Sequence, residues 1–273
     1  ASGLAGKLTA TFGTNDKVTA TAAQKDTTFN FGSTLTNDDT VVGGAGTKDE
    51  VTATVTGLTA TTGKLNISGV ESVTLTTSGD NTLDLTNVTG ATSVAVSANT
   101  QTITGLNLAT KLVMTDDAVL KVTAANATGT SDTLTVERKM LANADETNTV
   151  EAKGGAIENL AIILNDQDAT AANKTTYTLT NFEGVKVSVT QSTDSLKDAN
   201  VDLGTLNKSV TTVDMSGVKG TQAASTANAT VATTFNLAGA AAATVTGSAQ
   251  ADTFNIAATG NVDHVINGSG GTD

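Results

Sequence analysis

The chain has 273 residues, with 15 Lys and Arg against 27 Asp and Glu, for a formal net charge of −12. That balance argues against a nucleic-acid backbone or an anionic lipid surface as partner and makes cations the natural ligands. With no Cys, no Trp, one His (His264), one Tyr (Tyr177) and one Arg (Arg138), the chain lacks thiolate and multi-histidine metal sites, stacking platforms for sugars or bases, and guanidinium clamps for phosphates.

About one residue in five is threonine, whose branched Cβ suits a pleated strand and sits poorly in a helix. Proline is absent, as expected where backbone N–H groups are used on both sides of most strands. No run of apolar residues is long enough to span a membrane. The start at Ala1-Ser2-Gly3 and the stop within Gly268-Ser269-Gly270-Gly271-Thr272-Asp273 are those expected of a piece of a longer chain.

In chain order, period-two bursts predict strands at Val51-Thr-Ala53-Thr-Val55, Leu65-Asn-Ile67, Val73-Thr-Leu75, Leu83-Asp-Leu85, Val94-Ala-Val96, Leu106-Asn-Leu108, Leu134-Thr-Val136 and Val185-Lys-Val187-Ser-Val189. Between residues 65 and 108 they begin at 65, 73, 83, 94 and 106, with Ser, Gly, Asn and Asp between them. The residues 132–144, containing Glu137-Arg138-Lys139-Met140-Leu141-Ala142, and 192–200, with Ser192 or Thr193 as N-cap, are the two predicted helices. Residues 221–245 read as weakly patterned strand and loop.

The fold class is therefore all-β. Short strands at this spacing fit either β-sandwich modules or a β-solenoid of parallel β-helix type. Six Phe and 3% aromatics suit the narrow solenoid better than a sandwich core about 10 Å thick. No linker of changed composition appears, so residues 1–273 are read as a single repetitive β domain.

Two kinds of internal repeat stand out. Residues 37–49 align without a gap on residues 261–273, both reading N-x-D-x-V-[VI]-x-G-x-G-x-x-D, and upstream Asp26-Thr-Thr-Phe29-Asn30-Phe31 resembles Asp252-Thr-Phe254-Asn255-Ile256. A shorter unit, apolar-Glu-x-apolar-x-apolar, recurs at residues 70–75, 157–162 and 182–187, with its Glu expected at a corner of the coil. In the longer repeat, glycines permit positive φ and aspartates supply hard oxygens, the ligand type calcium prefers. The candidate metal ligands are Asp39, Gly44, Gly46 and Asp49 in the first loop, and Asp263, Gly268, Gly270 and Asp273 in the second. A Gly-rich turn with solvated aspartates is the alternative on local sequence.

The stretch Val41-Val42-Gly43-Gly44-Ala45-Gly46-Thr47-Lys48-Asp49-Glu50-Val51, with Gly247-Ser248-Ala249-Gln250-Ala251-Asp252-Thr253-Phe254, resembles the glycine- and aspartate-rich nonapeptides of RTX proteins. Set among Thr-, Ala- and Asn-rich stretches such as residues 125–132, they resemble RTX-type bacterial surface-layer proteins. Gly46 and Gly270 are each followed by two residues before the Asp, where the family's loop has one. The resemblance implies a calcium-stabilised β-solenoid, secretion to the cell surface and assembly with copies of itself into a two-dimensional lattice. It also implies a cell-envelope polysaccharide as partner, held through another region. No catalytic role is expected; a binding module of a large secreted RTX-type adhesin is the alternative function.

Overall fold

The structure, a computed structural model, describes residues 12, 15–21, 26–141, 146–152, 157–167, 174–179, 182–195, 200–207, 209–218, 232–236, 242–249, 251–255 and 263–271. Every regular element among them is a strand. They divide into two compact units, Ala1–Met114 with Lys121–Asn126 and Thr115–Leu120 with Ala127–Asp273.

In the first unit the strands are β1 (Lys17–Thr19), β2 (Thr28–Gly32), β3 (Thr40–Val42), β4 (Glu50–Thr56), β5 (Lys64–Ser68), β6 (Ser72–Ser78), β7 (Asn81–Thr89), β8 (Ser93–Val96), β9 (Asn99–Leu106) and β10 (Lys111–Met114). Strand β11 (Ala118–Ala124) is divided between the units. Odd-numbered strands lie side by side in one sheet and even-numbered strands in the other, in the order β1-β3-β5-β7-β9 and β2-β4-β6-β8-β10. Each pairing is parallel. A chain that lays alternate strands on two sheets and pairs each with the next but one is a β-solenoid, as the short strands and small side chains predict.

The second unit repeats the arrangement with β12 (Thr133–Met140), β13 (Glu146–Ala152), β14 (Asn159–Asp166), β15 (Lys174–Thr178), β16 (Lys186–Gln191), β17 (Asn200–Thr205), β18 (Thr212–Gly217), β19 (Ala232–Asn236), β20 (Thr244–Thr246), β21 (Ala251–Asn255) and β22 (Val265–Asn267). Its sheets run β12-β14-β16-β18-β20-β22 and β13-β15-β17-β19-β21, again parallel.

Register explains why apolar residues sit where they do. Phe29, Val51, Val73, Val94 and Leu112 pair in succession and are all fully buried. In the second unit Leu134, Leu160, Val187, Val213 and Val245 form the matching column, none more than 1% exposed. Each such side chain contributes about 1.5–3 kcal/mol of burial, and the period-two pattern holds them on the inner face. Outward positions carry short polar side chains, as where Thr52, Thr54 and Thr56 pair with Thr74, Thr76 and Ser78.

The two predicted helices are corrected by the structure. Thr133–Met140 is β12, paired with β14 over its whole length; residues 142–144 lie outside the described residues. Leu134, Val136, Arg138 and Met140 all face inward, so the period is two and not 3.6. Arg138, the chain's one arginine, is fully buried, and its Nη1 donates to the Lys139 carbonyl at 3.2 Å. Helix-forming composition at 137–142 is overridden by pairing across a coil. Ser192 is no N-cap: its Oγ accepts the Asp194 N–H at 3.2 Å in a turn, and Asn200 opens β17. Residues 196–199 lie outside the described residues. From the 221–245 stretch the described residues give β19 and β20.

Candidate functional site

In a solenoid the chain must turn at the start of each strand, where a backbone N–H has no partner in its own sheet. Here side chains from the next coil supply the acceptor. Asp49 stands just before β4, and its Oδ1 accepts the Thr27 N–H of the preceding coil at 2.6 Å. Glu71, one coil later, does the same for Asp49, with Oε2 accepting the Asp49 N–H at 2.8 Å. The Asp49 carbonyl in turn accepts from the N–H groups of Glu71 and Ser72, both at 3.1 Å.

The second unit contains a copy of this corner. Glu158 Oε2 accepts the Asp132 N–H at 2.8 Å, and the Asp132 carbonyl accepts from Glu158 and Asn159 at 3.1 and 3.0 Å. The separations, 22 residues from Asp49 to Glu71 and 26 from Asp132 to Glu158, are one coil each. Glu71 and Glu158 therefore sit at the corners that the shorter repeat predicts. Glu183 does not. Asn159 pairs with Lys186, so Val185 takes the corner position of Glu158, and Val185 is exposed. The motif at 182–187 slips by two residues against the coil.

Asp39 serves the opposite sheet. It is buried just before β3; Oδ1 accepts the Asp16 N–H at 2.7 Å, and Oδ2 accepts the Thr36 N–H and Oγ1 at 2.6 and 3.0 Å. Asp117 and Asn148 cap coils in the second unit, Asp117 accepting from Thr147 at 2.7 Å and Asn148 from Ala118 at 3.2 Å.

The first glycine loop folds onto its own aspartate. The Gly44 N–H donates to Asp49 Oδ2 at 2.7 Å. Gly43 donates to the Ser68 carbonyl at 2.8 Å, and the carbonyl oxygen of Gly69 fills the space a Cβ would need. Gly46 lies against the Asp26 backbone, whose N would be 2.5 Å from an added Cβ.

The same geometry recurs at 247–252, outside the two loops that hold the candidate metal ligands. There Ser248 donates its N–H to Asp252 Oδ2 at 2.8 Å and its Oγ to Oδ1 at 2.9 Å. Gly247 donates to the Asn267 carbonyl at 2.8 Å, and a Cβ on it would meet Gly268 O at 2.6 Å. Gly247 thus corresponds to Gly43 and Asp252 to Asp49. An Asp five residues beyond Gly247, the usual spacing of the nonapeptide loop, is the signal that marks it in the sequence.

Gly268 stacks on Gly247 as Gly69 stacks on Gly43, and Gly270 donates to the Ser248 carbonyl at 3.2 Å. Asp263 is exposed. At that corner His264 does what Asp39 does for β3: its Nδ1 accepts the Ala243 N–H at 3.3 Å, just before β22. Asp273 lies outside the described residues.

No family model matches this chain, and no curated protein or solved structure is significantly similar to it. The fit to a metal therefore rests on the residues themselves. Calcium takes six to eight oxygens at about 2.3–2.6 Å. Among the described residues no group of three or more His, Cys, Asp or Glu comes together to hold an ion. At Asp39 and Asp49 the carboxylates are buried and both oxygens of each already accept backbone N–H groups. The first loop does not fit calcium in this conformation.

Two outward carboxylates, Asp84 within β7 and Asp214 within β18, stand where the ladder to the neighbouring strand shifts register. Asp84 Oδ1 accepts Thr86 Oγ1 and N–H at 2.6 and 2.9 Å, and Asp214 Oδ1 accepts Ser216 Oγ and N–H at 2.7 and 3.1 Å. Thr86 chiefly, with Lys64 adding its charge, lowers the Asp84 pKa; Ser216 chiefly, with Lys186 adding, lowers that of Asp214. A lowered folded-state value means that ionisation favours folding. That contribution is present above the unfolded-chain pKa of about 3.9 and is lost as pH falls through the folded value. Both groups lie half-buried on the outer face, with water still in reach to screen them, so the contribution is small. In a carboxyl-carbon NMR titration both residues are expected to titrate below the ordinary aspartate range, and Thr86→Val to return Asp84 towards it. An Asp84 midpoint unmoved by that substitution contradicts the assignment.

Proposed function

We propose that this chain is a structural part of a secreted bacterial surface-layer subunit, whose work is to present repeating faces to copies of itself at the cell surface. The observation that supports the reading most is the in-register stacking of β4 on β6, which sets Thr52, Thr54 and Thr56 beside Thr74, Thr76 and Ser78. Adjacent coils lie about 4.8 Å apart, and alternate residues along a strand about 6.6–6.8 Å, so the outward hydroxyls form a regular grid. A regular grid is matched most economically by another copy of the same grid, which is how symmetric self-assembly works. The net charge of −12 suits a protein held in solution until it meets its neighbours.

In this reading the protein performs no catalytic step. Calcium belongs to it at sites other than Asp39 and Asp49. Attachment to a cell-envelope polysaccharide belongs to another region.

The test is negative-stain electron microscopy of the purified full-length protein, with calcium and with chelator. Ordered two-dimensional sheets or patches are the expected result. Discrete particles under both conditions, together with specific binding to a glycan or a host protein, would replace this function with that of an adhesin module.

A further inference from the structure

The loop that most resembles a calcium-binding nonapeptide has its acidic residue turned to another use. We infer that the 43–49 corner is a metal-free latch, in which main-chain N–H groups from two successive coils take the place of a cation around Asp49. This inference is independent of the lattice reading and concerns the coil itself.

Three features carry it. The first is the direction of the dipoles. A calcium loop of this kind turns its carbonyl oxygens towards the ion, whereas here the Gly44 N–H points at Asp49 Oδ2 and the Thr27 N–H at Oδ1. Positive ends of two peptide dipoles converge on the carboxylate, and hydrogen bonds of this charge-assisted kind are about twice as strong as neutral ones. The second is burial: Asp49 has no exposed surface, so these donors replace water as well.

The third is recurrence. The Gly129 N–H donates to Asp132 Oδ2 at 2.7 Å, and the Ser248 N–H to Asp252 Oδ2 at 2.8 Å. Three aspartates at three corners thus receive an N–H from a residue three to five positions upstream. At Asp49 and Asp132 the arrangement continues to the next coil through Glu71 and Glu158. The bond forms with the added residue of Gly46-Thr47-Lys48-Asp49 and without it, since the shorter 247–252 loop makes it too. The latch thus ties three coils together through one side chain and one amide: Thr27 to Asp49, and Asp49 to Glu71.

An amide in place of the Asp49 carboxylate would present an NH₂ to one of the two N–H groups, losing that bond and setting donor against donor. Asp49→Asn is therefore expected to lower the thermal midpoint by about 5–10 °C, and by the same amount in calcium as in chelator. Calcium bound elsewhere in the chain would raise the wild-type and variant midpoints together. A loss seen only when calcium is present would overturn the latch. Should the variant fail to fold, the wild-type protein gives the answer. The amide resonances of Thr27 and Gly44 are expected to hold their shifts and their protection from exchange when calcium replaces chelator. Movement of either resonance on adding calcium alone would place an ion at Asp49 and end the proposal.

Discussion

Gly43→Ala is expected to unfold the coils around it, with a loss of about 4 kcal/mol or more, while Gly79→Ala costs about 1–2 kcal/mol. The difference lies in what each added methyl meets. At Gly43 it falls on the backbone carbonyl of Gly69 in the next coil. That carbonyl cannot retreat, because Gly69 is fixed by its own N–H to the Thr89 carbonyl at 2.9 Å and Gly43 by its N–H to Ser68. Separating the coils breaks the ladder between β3 and β5, and neighbouring pairs go with it. Gly79 has nothing within 4 Å of an added Cβ, so only its positive φ of 68° resists substitution. Denaturant unfolding of the two variants beside the wild type measures the contrast. Equal, small losses would mean that the coils at Gly43 and Gly69 are not in contact.

Leu160→Asp is the second large effect. Leu160 lies in the column between Leu134 and Val187 and has no exposed surface. Removing it loses about 2–5 kcal/mol, as Leu160→Ala would show alone. The carboxylate adds several kcal/mol more, since it enters an apolar column with no place for a counter-charge. A domain has only about 5–15 kcal/mol to lose. The second unit is thus expected to be unfolded at 25 °C in Leu160→Asp and folded but weakened in Leu160→Ala, as far-UV circular dichroism and denaturant titration would report. A stable Leu160→Asp protein would remove Leu160 from the core.

The alternating bursts were legible because a strand's inner face is written every second residue. Val51–Val55, Leu65–Ile67, Val73–Leu75, Leu83–Leu85, Val94–Val96 and Leu134–Val136 lie in β4, β5, β6, β7, β8 and β12. Leu106-Asn-Leu108 misled, since the burst straddles the end of β9, whose inner residues Gln101, Ile103 and Leu106 include a polar one. The 132–144 helix was misread because Glu, Arg, Lys and Met are good helix formers and the sequence does not show that β14 lies alongside.

At the corners, Asp39 and Asp49 are legible in the sequence as acidic residues set beside glycines, but the backbone N–H groups they accept from are not. The partners that engage them, Asp16, Thr27, Gly44 and Glu71, include three a whole coil away. Coil length varies along the chain, as the 18 residues from Ser93 to Lys111 and the 26 from Thr133 to Asn159 illustrate. Without a fixed period, residues that will stack cannot be found by counting. The slips at Glu183 and Asp263, where Val185 and His264 hold the corners instead, have the same origin.

The claim on which the scaffold depends is that successive coils stack in parallel register, so that outward positions of β4 and β6 are neighbours. Because the chain has no cysteine, nitroxide spin labels can be placed on Thr54→Cys and Thr76→Cys without interference. These residues pair directly and are both exposed, so the labels should show strong dipolar broadening at the roughly 5 Å spacing of adjacent strands. Labels on Thr54→Cys and Thr102→Cys, which face outward from opposite sheets, should show much weaker coupling. Weak coupling in the first pair, or equal coupling in both, would contradict the stacked solenoid.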